Sequence, residues 1–283
     1  FGVKSGLSIQ SAKQKLKDRT DSAFLPADFE YYSEMSEKSM NIIKKFADVF
    51  EYVGRDEAYL DVSEKVEQDF VKASHIAQQI KNEVREKTKL TCSIGISPNK
   101  LLSKIASGYK KPDGLTTITP DKISEFIDTL NLEDIHGIGK KTVEKLAEEG
   151  IESISQAKSL DIFALINMFG RKAGTYIHNA IRGIDDEPVK IRAPTLQLGK
   201  ITTLKEDSVD YTFLEKSLFE LCEKLHTSIL KENKTFRSVG ISLTQTDLSG
   251  KTRSRMLRNP TLSLDELKKV SRQLLKEALE DQS

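Results

Sequence analysis

Long apolar runs are missing from this sequence. No stretch approaches the roughly 20 uninterrupted apolar residues that a membrane-spanning helix needs, and no signal or transit pattern opens the chain. Cysteine is scarce. Cys92 and Cys222 stand far apart with no CxxC spacing and no neighbouring His, which argues against zinc and against a disulfide scaffold and fits a reducing, cytoplasmic setting. The four histidines (His75, His136, His178 and His226) are scattered, so each reads as a surface residue rather than a ligand. Net charge is nearly absent as well, at +1, and composition alone does not announce a nucleic-acid binder. There are no internal repeats and no low-complexity tract. An initiator Met is also lacking: the chain begins Phe1-Gly2-Val3, inside a structured-looking segment, which reads as a truncated start.

What is present suits a protein with modest cores. The 283 residues are 37% apolar and 31% charged, enough for two or three compact units. Residues 1–26 hold a Gly-punctuated piece and a short helix-like stretch ending near Pro26. Phe29, Tyr32, Met35, Met40, Ile43, Phe46 and Val49 recur at helical spacing over 28–49. A strand–turn–strand follows from Phe50 to Val62, then an amphipathic helix over about 68–87 and a β-like run from Leu90 to Ile96. Ser97-Pro98-Asn99 starts a helix from Lys100 to Ala106. Lys111-Pro112-Asp113-Gly114 is a turn leading into a short strand, Leu115 to Ile118. From Pro120 to about Glu187 the pattern is of short helices broken at Gly137, Gly139, Gly150, Gly170 and Gly183. The stretch from Glu187 to Pro194 looks like a linker. The rest predicts a strand from Leu198 to Leu204, a helix over 211–230, strand–turn–strand from Arg237 to Leu257 turning at Ser249-Gly250, and a closing helix.

The most chemical stretch is Gly54-Arg55-Asp56-Glu57-Ala58-Tyr59-Leu60-Asp61. Two adjacent carboxylates repel each other and lose solvation if partly buried, and a divalent cation removes both objections. Magnesium takes a few hard oxygens and completes its shell with water and substrate phosphate. Adjacent strand residues point to opposite faces, so a shared site needs a bulge or turn here. Asp56 is the first choice of ligand and Glu57 its neighbour in the site. Taken as a bare Asp-Glu pair, the same residues read as a solvated turn.

The surroundings favour the metal. Asp56-Glu-Ala-Tyr-Leu-Asp61 after an aromatic strand resembles the catalytic signature of the Y-family, the lesion-bypass DNA polymerases. Phe1-Gly-Val-Lys-Ser-Gly6 is similar to the segment leaving that family's fingers. Ser93-Ile-Gly-Ile-Ser-Pro-Asn-Lys100, Leu101-Leu-Ser-Lys-Ile-Ala-Ser107 and Lys111-Pro-Asp-Gly114 match its palm, and Ile135-His-Gly-Ile-Gly139 falls where its thumb begins. The resemblance covers nearly the whole chain in order. It implies that Asp56 and Glu57 bind metal, that Glu57 is the catalytic carboxylate beside the primer terminus, and that Lys111 reaches the triphosphate of the incoming deoxynucleotide. It also implies two magnesium ions (Mg2+) per intact active site. Asp61 reads as structural, and Lys104 fits a helix surface equally well. A further metal-binding Asp, the aromatic gate against ribonucleotides, and a Tyr and an Arg for the triphosphate are expected upstream of Phe1. Arg55 departs from the family's aliphatic residue.

Two grips on DNA follow. Gly137-Ile138-Gly139 with Lys140 and Lys141, running on through Val143, Leu146, Gly150 and Ile151, resembles a helix–hairpin–helix. Its glycines let backbone N–H groups approach a phosphate, and the helix start adds positive charge. Without a ligand the same residues are a helical turn with a Gly hinge. Further on, Lys251, Arg253 and Arg255 share one face of a strand, with Arg258 nearby. That ladder suits the phosphate walls of duplex DNA, or else a solvated sheet edge guarded by charge.

The expectation is therefore an α+β, multidomain right-hand polymerase: a fingers remnant (1–26), a palm (27–118), a helical thumb (119–187), a linker (188–194) and an α+β little finger (195–283). The intact enzyme would extend a primer on damaged template DNA, as a monomer and away from membranes; partnership with a sliding clamp is left undecided. The rival is a non-catalytic DNA-binding module derived from such an enzyme. A third reading, a different helix–hairpin–helix enzyme such as a nuclease or a glycosylase, lacks support because no catalytic Lys or paired-carboxylate motif stands next to the hairpin.

Overall fold

The computed structural model describes residues 1–191, 196–204 and 206–280. The chain divides into two compact units, one running to Arg192 and one from Ala193. The architecture is α+β.

In the first unit, helix α1 (Ile9–Lys15) is capped by Ser8, whose side chain accepts from Ser11 N–H. It stops at Lys15 rather than near Pro26: Leu16 leaves helical geometry, residues 16–18 form a turn, and nothing from 19 to 28 is helical. That cap is Asp28, which accepts from Tyr31 N–H at 3.0 Å and opens α2 (Phe29–Lys44). Strands β1 (Val49–Gly54) and β2 (Glu57–Asp61) pair antiparallel. The one-turn helix α3 (Ser63–Val66) leads to α4 (Phe70–Thr88), where Asp69 accepts from Val71 and Lys72 N–H. Ile80 and Val84 of α4 bury against Ile42 of α2, with Leu60 of β2 packed alongside. The inner faces of α2 and α4 thus meet in one small core, but the helix expected over 28–49 ends at Lys44, Val49 opens β1, and Phe29, Tyr32 and Val71 of the expected apolar faces stay exposed.

Strand β3 is confined to Ile94–Ile96, shorter than the run from Leu90 suggested. Residues 90–93 have a strand's composition but no ladder partner; only 94–96 pair, in parallel, with β4 (Leu115–Thr117). Helix α5 (Lys100–Tyr109) lies against this pair. A Cβ on Gly95 would meet the Ser103 carbonyl at 2.2 Å, so only glycine lets β3 run this close to the helix.

Leu101, Leu102, Ile105 and Ala106 of α5 are buried in one cluster with Ile127, Ile135, Leu146, Leu165 and Ile181. The helices after residue 119 therefore share a core with α5, which no sequence signal announced. They are α6 (Ile123–Asp128), α7 (Lys140–Glu148), α8 (Ile154–Ser159) and α9 (Ile162–Ala180). Helix α9 is interrupted at Gly170, whose backbone is not helical, at one of the expected breaks. The stretch after Glu187 is irregular through Ile191, but it is tied down: Lys190 N–H donates to Glu51 at 2.9 Å. Residues 192–194 of the expected linker lie outside the described residues.

In the second unit, α10 (Tyr211–Lys231) and α11 (Leu264–Glu280) pack together, and α11 lies on the hairpin of β5 (Phe236–Thr244) and β6 (Gly250–Thr261). Leu214, Cys222, Val239, Ile241, Val270 and Leu274 belong to its core. The predicted strand from Leu198 to Leu204 is not one. Its side-chain pattern fits, yet a strand exists only through hydrogen bonds to a neighbour, and the described ladder joins β5 and β6 alone. Leu204 contributes by packing against the core instead. Residues 195, 205 and 281–283 of the expected little finger lie outside the described residues.

Candidate active site and nucleic-acid interface

The acidic doublet sits at the tip of the β1–β2 hairpin. Tyr52 faces Ala58 and Gly54 faces Glu57, with a register shift between Tyr52 and Gly54. Arg55 and Asp56 form the turn, and Glu57 is the first residue of β2. The doublet thus straddles a turn next to an irregularity, the circumstance under which neighbouring residues escape strict alternation. Asp56 is exposed. Arg55 places its guanidinium 5.4 Å from the centre of the Phe29 ring, and its carbonyl accepts from the Ser36 hydroxyl at 2.5 Å. Its place on this tip is explained by α2, as a cation–π partner of Phe29.

Glu57 faces cations. The Lys104 ammonium donates to its Oε1, and this bond holds the carboxyl below the usual glutamate range. Partial burial opposes the shift, and the charges of Lys104, Lys111 and His136 add to it. Residues from α5, from the 111–114 turn and from the approach to α7 therefore act on one carboxylate. Lys104, left in the sequence as a helix-surface residue, is the partner that reading missed. Lys100, one turn earlier on α5, lies 5.1 Å from the Tyr59 ring centre and 3.0 Å from both Glu51 oxygens. Burial, followed by the charges of Glu57 and Glu51, pushes the Tyr59 phenol up to about 12. The i, i+4 spacing of Lys100 and Lys104 was the available signal: it puts both on one helix face. Asp61 accepts from Ser63 N–H at 2.8 Å, at the start of α3.

Asp56 and Glu57 offer hard carboxylate oxygens of the kind magnesium takes. Among the described residues, no three or more Asp, Glu, His or Cys side chains come together as a ready-made metal cage. The donor set fits an ion that keeps several positions for water or phosphate, provided Glu57 exchanges its bond to Lys104 for the metal.

Lys111 is exposed on its turn. The turn itself is anchored by Lys81 of α4, a buried lysine that donates to Asp113 Oδ1 and to the carbonyls of Cys92 and Asp113, both at 2.8 Å.

At the glycine hairpin, Gly137 has φ +87°, and a Cβ there would come within 2.7 Å of the Tyr176 ring. The Tyr176 hydroxyl donates to the His136 carbonyl, so α9 buttresses the turn. Ile138 is buried while Gly137 and Gly139 are exposed. Gly139 is the N-cap of α7 and supplies no side chain to it, which leaves the helix start open. Lys140 and Lys141 are exposed on its first turn, and Val143, Leu146 and Ile151 pack beneath. Lys104 and residues 137–139 line one cleft, together with Tyr109 and His136.

In the second unit, Lys251, Arg253 and Arg255 do share a face, opposite Leu243, Ile241 and Val239. Those partners belong to the helix-covered core, so the basic face is the one that α11 flanks. Arg255 pairs with Glu277 and donates to Gln273 at 2.6 Å. Arg258 is exposed and stands beyond Met256, where the register shifts. The opposite face presents Ser238, Gly240, Ser242, Thr252 and Ser254, a small polar surface that charge-based reading passed over.

Residues 1–108 match the impB/mucB/samB family, residues 133–185 the thumb domain of DNA polymerase-iota, and residues 196–283 the impB/mucB/samB family C-terminal domain. DNA polymerase IV of Nitrosopumilus maritimus is 61% identical over 283 residues, 100% of this chain and 78% of that protein. The chain belongs to the Y-family of DNA polymerases. It is a DNA-directed DNA polymerase of the translesion kind, from a family that uses divalent metal ions. DNA polymerase IV 1 of Methanosarcina mazei is 37% identical over 286 residues, covering 99% of the polymerase chain and 78% of its own. A solved Y-family DNA polymerase chimera of Dbh and Dpo4 matches with TM-score 0.88 and 29% identity over 99% of this chain and 79% of the other. The insertion ternary complex of Dbh DNA polymerase matches with TM-score 0.69 at the same identity and coverage. No helix of the described polymerase is long and apolar enough to cross a membrane.

Proposed function

We propose that Asp56 and Glu57 are metal-binding carboxylates of the polymerase site, with Glu57 beside the primer terminus and Lys111 on the triphosphate of the incoming deoxynucleotide. The reading is supported most by one observation: Glu57 is held by Lys104, and Lys104 lines the same cleft as the glycine hairpin. A carboxylate bonded to a lysine of that cleft, with an open helix start at the same cleft, suits a DNA end and a polyphosphate.

Magnesium is the metal of choice for this donor set, two ions per complete site, and when bound it activates a 3′ hydroxyl and neutralises phosphate charge. The residues of the chain do the remaining work. Lys104 orients Glu57 and keeps it ionised. Lys111 supplies a point charge for the phosphates leaving as pyrophosphate. Gly137, Ile138 and Gly139 bring backbone close to a DNA phosphate, with Lys140 and Lys141 adding charge independent of sequence. Lys251, Arg253, Arg255 and Arg258 serve as the duplex grip of the second unit.

In domain terms, residues 1–26 belong to the fingers, 27–118 to the palm, 119–187 to the thumb and 195–283 to the little finger, with a linker at 188–194. Template–primer DNA and a deoxynucleoside triphosphate are the partners.

The test is primer extension with Mg2+ by the chain itself and by a form extended at its N-terminus with the corresponding segment of the Nitrosopumilus relative. The extended form should add nucleotides and lose that activity in Asp56→Asn and Glu57→Gln. An extended form that binds template–primer but incorporates nothing would leave a DNA-binding module and overturn the assignment.

A further inference from the structure

The buried ammonium of Lys81 has no place in the site as described so far. Lysine carries three N–H donors and no acceptor, and a buried one survives only when paired and hydrogen-bonded. Lys81 is 8% exposed, on the inner face of α4. Its Nζ meets four oxygens: Asp113 Oδ1, the Cys92 and Asp113 carbonyls at 2.8 Å, and the Gly114 carbonyl at 3.4 Å. All three protons are used, and three of the four oxygens belong to the short turn that begins with Lys111.

The rest of that turn is held just as tightly. Gly114 N–H donates to the Ser93 hydroxyl at 3.1 Å, and its carbonyl accepts from Ile94 N–H at 3.0 Å. Asp113 has φ +51°, a backbone state that Asp and Asn tolerate better than most residues. Lys81 and Asp113 are 32 positions apart in sequence, so the contact is a tertiary strut from a helix core to the base of an exposed loop. Lys111, Pro112 and Asp113 are exposed on this loop, and of these the charge of Lys111 is felt at Glu57.

We infer that Lys81 is a positioning residue for nucleotide binding: it fixes the 111–114 turn so that Lys111 is presented to the polyphosphate of the incoming nucleotide. This rests on the proposed role of Lys111. A fixed cation contributes more than a mobile one, because its ordering entropy is already lost before the ligand arrives. Lys81 touches neither nucleotide nor DNA, and acts through the loop.

The experiment is steady-state primer extension by the N-terminally extended form, with dNTP KM, kcat and template–primer Kd measured separately. In Lys81→Met, dNTP KM should rise about tenfold while kcat and DNA Kd stay within about twofold of the parent, since a ground-state contact is loosened. Adding Lys81→Met to Lys111→Ala should raise KM little further, because the strut then has no cation to present. An unchanged KM, a parallel fall in DNA affinity and kcat, or full additivity in the cycle would overturn the inference. If Lys81→Met does not fold, Asp113→Asn decides, since it removes the ion pair while keeping the backbone preference. A KM rise of about threefold is expected there, and no rise counts against the strut. Lys111→Ala alone examines the underlying reading: a parent-like KM in that variant sinks the role of Lys111 itself, whatever the cycle shows.

Discussion

The ammonium of Lys104 donates to Oε1 of Glu57 across 47 positions of sequence. A helix of the core thereby reaches the tip of the hairpin that carries the acidic doublet. The bond lowers the Glu57 carboxyl against the opposing effect of partial burial. A group whose folded pKa lies below its unfolded one contributes stability above the ordinary carboxylate range and loses it as pH falls through the lowered value.

Lys104→Met should therefore move the Glu57 titration upward, toward the ordinary range, in metal-free protein. Side-chain carboxyl NMR reads this directly. Global stability should change little, since the two side chains are 30% and 42% exposed and solvent screens the pair. A Glu57 titration unmoved by Lys104→Met would mean that burial and the other cations set it.

Glu51 is the anchor for the segment that follows α9. Its two oxygens take Lys100 at 3.0 Å each, and Oε2 also accepts Lys190 N–H at 2.9 Å. The Lys100 side chain is 11% exposed, with Glu187 at 3.8 Å as a second partner. Glu51→Ala should cost about 2–3 kcal/mol in denaturant unfolding of the first unit, because a nearly buried ammonium loses its main partner. Glu51→Gln should cost less, since an amide oxygen can still accept from Lys100 and Lys190. Equal losses for the two variants would assign the effect to packing.

Gly137→Ala addresses the hairpin. The φ of +87° strains any side chain, and the new Cβ would press on Tyr176. A loss of about 1–2 kcal/mol in stability is expected, with weaker binding to DNA of every sequence alike. Gly137→Ala combined with Tyr176→Ala should relieve the clash but keep the backbone strain, recovering only part of the loss. Fluorescence anisotropy with two unrelated duplexes checks both points, and sequence-dependent weakening would count against a backbone grip.

For the basic face of β6, replacing Lys251, Arg253 and Arg255 together by Ala should weaken DNA binding and flatten its salt dependence, by up to about 0.9 in log–log slope per lost phosphate contact. The pairing of Arg255 with Glu277 adds a sharper test. Glu277→Gln frees that guanidinium and should raise DNA affinity and steepen the salt slope. An unchanged slope in both variants would remove this face from the interface and turn attention to the Ser- and Gly-bearing face behind it.

Much of this polymerase was legible in local patterns. Asp28, Asp69 and Asn99 cap helices that the periodic apolar residues announce. The Gly137–Gly139 and Lys111–Gly114 turns fall where their residue types demand. Helix periods, caps and tight turns depend on neighbours a few positions away, so sequence alone determined them, along with the need for a turn at the acidic doublet. The stretch from Leu198 to Leu204 shows the limit: alternation describes a strand's side chains but does not provide the partner that makes it one.

Only the tertiary structure decided which charges meet. Glu57 finds Lys104, Glu51 finds Lys100 and Lys190, and Lys81 finds the turn before β4. It also put the basic face of β6 on the helix-flanked side of its hairpin, where Arg255 is already engaged. Such pairings are set by packing of elements distant in sequence, and a lysine on a helix carries no local mark of the carboxylate it will reach.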